Sequence, residues 1–474
     1  MVKKPGSSNQ TVAVWEQDPG SGAQPDGGAL LNVPAPHLDQ TPYPLATKSK
    51  APAIKVYKPG TTEFRYWAGS AAARRGADFW GTIVPKGTTW EGDVGDQLTL
   101  KFDEGDDLNA FYDRTGLSFF HGTSAGRTVY SGESPDIVCH ELGHAVLDSI
   151  RPQFWDAANF EVPAFHESFG DMSALLTALQ VPSLRDGVLQ ETGGVLYRNS
   201  RLSRLAEQLG WAIRQQAPDA VDKDCLRNAV NQFVYRDPNT LPDSAPAAEL
   251  CREAHSFSRV FTSAFFESLG GMLRVLAGSN PATSDQLLQA SQDMAKILVA
   301  AILQTPVVPA FFSQVAGHMI AVAAGQAGNP YGEAIKSAFV RHGILSVQSA
   351  ATVSAVTLSA QAIRPQEPTQ LPTTRISVAE FGLSVDTILV HVGAQKRFEV
   401  AGSAVGGGSA QSLTHDETAK RYVEDLIRRG RLDTGRFGNS KSAVTHPYAL
   451  KTHALVEENH EVYLRRLRID CDFD

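Results

Sequence analysis

The chain has 474 residues, more than one ordinary domain holds, so two or three domains around a sizeable core are expected. Hydrophobic residues make up 42% and charged residues 20%, which excludes a largely disordered chain. The net charge of −8 argues against nucleic acid or an anionic membrane as the main partner, because both need a basic surface.

No transmembrane helix is expected. The most apolar stretch, Ile297 to Ala324, is broken by Gln304, Pro306, Pro309, Ser313, Gln314 and His318. Lys3 and Lys4 are followed by Pro5 to Gln10, where a secretory signal would place an apolar run. A cytoplasmic location is the expectation, with non-classical export as the alternative. Cys139, Cys225, Cys251 and Cys471 form no CxxC pair and no zinc-ribbon spacing, so they read as mostly reduced thiols. A Cys225–Cys251 disulfide stays compatible with the sequence.

Residues 1–50, rich in Gly, Pro, Ser and Gln, read as a loose arm and a candidate to occlude a cleft. Strand-like runs follow at Ile54–Tyr57, Glu63–Trp67 and Gln97–Phe102, which makes 51–150 a β-rich lobe. From about Ser134 to Leu345 the apolar period is helical, so 151–346 reads as a helical lobe. Pro365, Pro368 and Pro372 mark 347–374 as a linker. Residues 375–474 form a smaller C-terminal module with a binding or inhibitory role in view. Its expected strands are Thr387–Val392 and Arg397–Val400, its flexible tip Gly406–Ser409, and its helix Asp416–Arg429. Arg421, Arg428, Arg429 and Arg431 alternate with Glu417, Glu424 and Asp425, the pattern of a solvated helix face.

One motif carries chemistry. His140-Glu141-Leu142-Gly143-His144 is an HExxH pattern, which at this composition arises by chance about 0.04 times per chain. Ser134 is a good N-cap, Pro135 fits the first helical turn, and Pro152 stops the helix. The histidines then lie one turn apart on one face, ~5–6 Å between Cβ atoms, as two imidazoles on one zinc ion require. Glu141, beside them, is placed to take a proton from a metal-activated water. Metzincins need Gly and His at later positions that are Leu147 and Ile150 here, so that class is excluded. Downstream, Glu167 and Asp171 are four apart in a second helical run from about Ala164 to Leu179. Glu167 can complete a His2Glu site with an open fourth position, and Asp171 can accept the second ring N–H of a ligand histidine.

With these residues the chain resembles the thermolysin family of zinc peptidases over roughly residues 95–346. Asn109-Ala110-Phe111-Tyr112 resembles the family's substrate-binding edge strand, which holds an extended peptide through its main chain. Leu226-Arg227-Asn228 resembles the segment whose arginine binds the substrate carbonyl after the scissile bond. His255-Ser256-Phe257-Ser258 resembles the stretch whose histidine stabilises the oxyanion. Arg227 and His255 stand at the family's spacing, and Ala334 to Phe339 resembles its last catalytic-domain helix.

The resemblance implies an α+β protein: an N-terminal β-rich lobe, a mainly α-helical lobe, and the zinc site between them, with the small C-terminal α+β module added. It implies a zinc endopeptidase acting on peptide or protein substrates. His140, His144 and Glu167 would be ligands, Asp171 their support, Glu141 general base and His255 oxyanion donor. Asn109, Ala110 and Arg227 would bind substrate. A degenerate zinc- and peptide-binding protein without turnover is the rival.

Departures from the family carry their own expectations. His166 stands where the family has Asn. Residues 145–166 contain no Tyr for the oxyanion, which leaves Trp155 as a substitute donor. Leu250 replaces the carboxylate that orients the catalytic histidine, which leaves Glu253, Glu249 or no carboxylate at all to orient His255. Asp136 matches one calcium carboxylate, but an apolar residue near Ala178 replaces its partner, so calcium binding is expected to be weakened or lost.

Overall fold

A computed structural model describes residues 10–20, 28–325, 330–356, 370–393, 414–438 and 450–471. The protein is α+β. In chain order the elements begin with strands β1 (Thr11–Trp15), β2 (Leu30–Pro34) and β3 (Leu45–Thr47) and helix α1 (Thr62–Ile83). Strands β4 (Leu98–Lys101), β5 (Ala110–Tyr112), β6 (Leu117–Phe119), β7 (His121–Ser124) and β8 (Arg127–Tyr130) come next. Then follow α2 (Pro135–Ile150), α3 (Glu161–Ala178), α4 (Pro182–Thr192), β9 (Arg204–Leu205), α5 (Glu207–Arg214) and β10 (Arg227–Asn228). The long helices α6 (Ala254–Ala277) and α7 (Ser284–Gln304) are followed by α8 (Phe311–Ala324), α9 (Gly332–Arg341) and α10 (Val347–Val356). The C-terminal part contains β11 (Thr373–Ser377), β12 (Thr387–His391), α11 (His415–Arg428), β13 (Leu432–Asp433), β14 (His453–Glu458), β15 (Glu461–Arg466) and β16 (Ile469–Asp470).

Two five-stranded sheets organise these elements. One runs β11-β12-β15-β14-β13 and carries α11 over a separate apolar cluster that includes Ile376, Ile388, Val390, Val423 and Leu426. The other runs β16-β5-β6-β4-β3, so a strand from the far end of the chain closes the edge of a sheet built from residues 45–119.

Several sequence expectations change. Residues 11–15 do not behave as a loose arm: β1 pairs with β2, and Val12, Ala13, Val14 and Trp15 are buried in the main core. Trp15 meets Phe64 edge-on at 5.6 Å. Glu63–Trp67 is not a strand but the first turns of α1, capped by the Thr61 side chain, which accepts from Phe64 N. Its aromatic residues pack on a helix face instead of a pleat, because strand preference is largely a packing preference. Ile54–Tyr57 lies outside any strand, so the segment 51–150 contains a 22-residue helix as well as its strands. The expected linker begins as helix α10, and the rest of it up to residue 369 lies outside the described residues, as do Arg397–Val400 and Gly406–Ser409. All four cysteines are buried free thiols, so Cys225 and Cys251 are not bridged.

Helix α6 is long and apolar enough to cross a membrane, but most of it is buried here, with Phe257, Phe261, Phe265 and Phe266 wholly in the core. Around it pack α3, α7 and α9.

Candidate metal centre

Helix α2 starts where the sequence signals it. Ser134 Oγ accepts from Ile137 N at 3.3 Å, and Pro135 opens the first turn. Every residue from Pro135 to Asp148 is buried, so His140, Glu141 and His144 project into protein rather than solvent. Helix α3 is buried along its whole length, and Asn159 Oδ1 accepts from Val162 N at 2.7 Å to secure its start. The two helices cross through glycines. A Cβ on Gly143 would stand 3.1 Å from Gly170 Cα, and one on Gly170 would stand 2.6 Å from His140 Cε1. Ser173 Oγ, which accepts from Trp80 Nε1 of α1, donates to Cys139 O and locks the three helices together.

This crossing brings three donors to one point. His140 Nε2 lies 3.1 Å from His144 Nε2 and 3.4 Å from Glu167 Oε2, and His144 Nε2 lies 3.8 Å from Glu167 Oε1. Ligand atoms on a tetrahedral zinc with bonds of ~2.0–2.1 Å are about 3.3 Å apart, close to these edges. Glu141 belongs to the same cluster: one ligand atom each from His140, Glu141 and His144 lie within 4.8 Å of one another. Its Oε2, fully buried, has no hydrogen-bond partner among the described residues.

The surroundings fix the tautomer of His140. Its Nδ1 faces Asp171 Oδ1 at 3.1 Å, which leaves the Nε2 lone pair for the centre. Behind Asp171, Arg227 donates from Nη2 at 2.8 Å and from Nε at 3.3 Å. Burial alone would raise the Asp171 pKa, but the Arg227 charge and the His140 hydrogen bond together outweigh it and hold the group well below the usual carboxylate range. Burial would likewise discharge His140, yet its bonds to Asp171 and Glu167 raise its pKa to about 9. His144 goes the other way: burial, then the neighbouring His140 charge, depresses it. Burial pushes the Glu141 carboxyl up to about 7, against the pull of His140.

His255 occupies the first turn of α6, 3.2 Å from Glu167 Oε2. Of the two carboxylates that sequence left open, Glu253 holds it. Glu253 Oε1 contacts His255 Nδ1 at 2.8 Å, while Oε2 accepts from Ser256 N and caps the helix. Glutamate is a poor N-cap by preference, so this double use left no signal in the sequence. Opposing burial, the charges of Glu167 and Glu253 raise His255 to about 10.

The remaining predicted residues are placed less simply. Ala110 lies on β5, and its carbonyl accepts from Cys471 N. Asn109 is buried and its Oδ1 accepts from Ala110 N, so the side chain braces its own strand. Arg227 lies on β10 opposite Leu205 and contacts Asp171 and His140. Trp155 does not aim at the centre: its indole N–H donates to Arg466 O at 3.1 Å. Asp136 Oδ2 accepts from Ala206 N, and burial with the nearby Asp18 charge raises its pKa.

Sequence reasoning gave no role to four residues here. Gly143 and Gly170 permit the crossing but look like ordinary helix interruptions in sequence. His166 sets its ring tilted at 41° and 5.9 Å from that of His144, and among the described residues neither of its nitrogens has a hydrogen-bond partner. Cys471 donates from Sγ to Glu141 Oε1 at 2.8 Å, across 330 positions of chain. No protein-family model and no curated protein matches the chain.

Proposed function

We propose that this chain is a zinc-dependent endopeptidase of the thermolysin-like kind. The observation that carries the reading is the convergence of His140 Nε2, His144 Nε2 and Glu167 beside the buried Glu141 carboxylate. Two imidazoles and one carboxylate suit zinc and leave a fourth position for chemistry. A bound ion would supply a polarised peptide carbonyl and a water with pKa near ~7.

The chain's own residues do the rest. Glu141 accepts a proton and later returns it to the leaving amine, a role suited to a carboxyl that titrates at about 7. His255, held by Glu253 at Nδ1, presents Nε2 to a substrate carbonyl oxygen. Arg227 keeps Asp171 charged and so keeps His140 oriented. Freed of β16, β5 would offer main-chain groups to an extended peptide. On this reading the site lies between the sheet-bearing lobe of 51–150, which supplies β5 and α2, and the helical lobe of 151–346, which supplies α3 and α6. The intact Glu141 favours turnover over a degenerate zinc- and peptide-binding protein.

The test compares wild type with Glu141→Gln for zinc content and casein cleavage. One zinc per chain in both, with even slow wild-type cleavage abolished in the variant, supports the reading. A chain without zinc, or equal measurable cleavage by both proteins, overturns it.

A further inference from the structure

The strand that closes the β5 edge comes from the C-terminal module. Ile469 pairs with Tyr112 and Asp470 with Phe111 in antiparallel register, and Cys471 N donates to Ala110 O at 2.9 Å. That is the main-chain pattern of an extended peptide added to a sheet edge. The same segment engages the groups assigned to catalysis. His255 Nε2 lies 2.7 Å from Asp470 O, so its proton is donated to a peptide carbonyl. The Cys471 thiol sits on Glu141 Oε1 at 2.8 Å. Further back, Trp155 Nε1 donates to Arg466 O, and Arg466 N donates to Asp156 Oδ1. The Arg468 guanidinium lies 4.8 Å over the Phe111 ring. Ile469, Asp470 and Cys471 are all buried.

The module is docked and not merely tethered. Ala158 N donates to His391 O at 2.9 Å, and Ala158 and Phe160 belong to the module's own apolar cluster. Arg428 pairs with Asp243 at 3.0 Å, Arg421 donates to Asn239 O, and Arg431 contacts Asp470. The arginines expected on a solvated face therefore include residues that join the module to the helical part and to β16.

We propose that the C-terminal module keeps the peptidase latent: β16 fills the peptide position along β5, and Cys471 closes the metal site as its fourth ligand. This rests on the metallopeptidase reading. Sulfur is an ordinary zinc donor, bound as thiolate at ~2.3 Å. On coordination the S–H bond breaks, its proton passes to the Glu141 carboxylate it already faces, and a metal–sulfur bond forms. Cys471 then holds the fourth position, and Glu141 has no water to act on.

The full chain, loaded with cobalt(II) in place of zinc, tests the ligand directly. A sulfur-to-cobalt charge-transfer absorption in wild type that disappears in Cys471→Ser supports the proposal; bound cobalt without that absorption overturns it. Ile469→Asp combined with Cys471→Ala tests latency, and peptide cleavage at least tenfold faster than wild type is expected. Equal rates with no sulfur absorption remove the occupant and leave the peptidase standing. The absorption without cleavage by any variant keeps the ligand and removes the peptidase. A mass loss beginning after Asp470 on metal loading would make the segment a substrate and overturn the proposal.

Discussion

Gly170 lies so close to His140 that a Cβ on it would stand 2.6 Å from the imidazole Cε1 and 2.7 Å from both ring nitrogens. A residue with a side chain does not fit at this point of α3 without displacing the ring. Gly170→Ala should therefore push His140 off its position between Asp171 and the centre. Overpacking of this size costs ~1–3 kcal/mol of stability. We expect metal affinity to fall at least tenfold, read by competition with a chromogenic chelator. Unchanged affinity would mean that the crossing relaxes without moving the ring.

Asp171 joins His140 to Arg227 in full burial. Replacing it by Asn keeps the shape and removes the charge. Loss of such a support typically lowers metal affinity ~10–100-fold. It also breaks the buried Asp171–Arg227 pair, and breaking such a pair costs about 3–5 kcal/mol. Chelator competition and urea unfolding of Asp171→Asn should show both losses together.

His255 donates toward a carbonyl oxygen and binds no metal in the proposed scheme. His255→Ala, made in the chain that also carries Ile469→Asp and Cys471→Ala, should lower kcat ~10²–10³-fold, the cost of one oxyanion donor. Zinc content should stay at one per chain. Glu253→Gln should give a smaller loss and move the alkaline limb of the pH–rate profile to lower pH, because that carboxylate sustains the His255 charge.

The site also predicts a pH dependence in the metal-free chain. His140, raised to about 9, and His255, raised to about 10, stabilise the fold fully below their ordinary value of 6.5. That contribution fades as pH climbs through 9 and 10. Glu141, raised to about 7, acts in the same direction, since its stabilising contribution is present below 4.5 and lost through 7. Asp171 and Glu253, both depressed, gain their effect below the ordinary carboxylate range and add no slope above pH 7. Chelator-treated protein should thus lose stability from pH 7 to 9.5 in urea titrations. Zinc should reverse the slope, because ligation needs neutral His140 and competes better with the proton as pH rises. A metal-free chain that grows more stable over this range would refute the charge assignments.

Much of the site was legible because helical periodicity is local. Four-residue spacing puts His140 with His144, and Glu167 with Asp171, on common faces, and Ser134 and Pro135 mark where α2 begins. Glu253 was legible only as one of two choices, since either carboxylate could reach the first turn of α6. The crossing at Gly143 and Gly170 was not legible: a glycine in a helix carries no sign of what approaches it. Glu63–Trp67 was misread because aromatic residues suit any half-buried surface, although Thr61 offered a cap signal. Trp155 was assigned to the centre on residue type alone, while its actual acceptor, Arg466 O, lies 311 positions away. Register between β5 and β16 is set by pairing across most of the chain, beyond any local pattern.

Synthesis order gives the Cys471–Glu141 contact a timing of its own. Strand β5 and helices α2, α3 and α6 all leave the ribosome before β16 does. At ~5–20 residues per second, the module of about 100 residues takes roughly 5–20 s to follow. The N-terminal part can bury its core and gather its donors within that interval, while β5 is still an open edge. If the module covers the site as proposed, each new molecule passes once through an uncovered state whose length follows the speed of translation through residues 375–471.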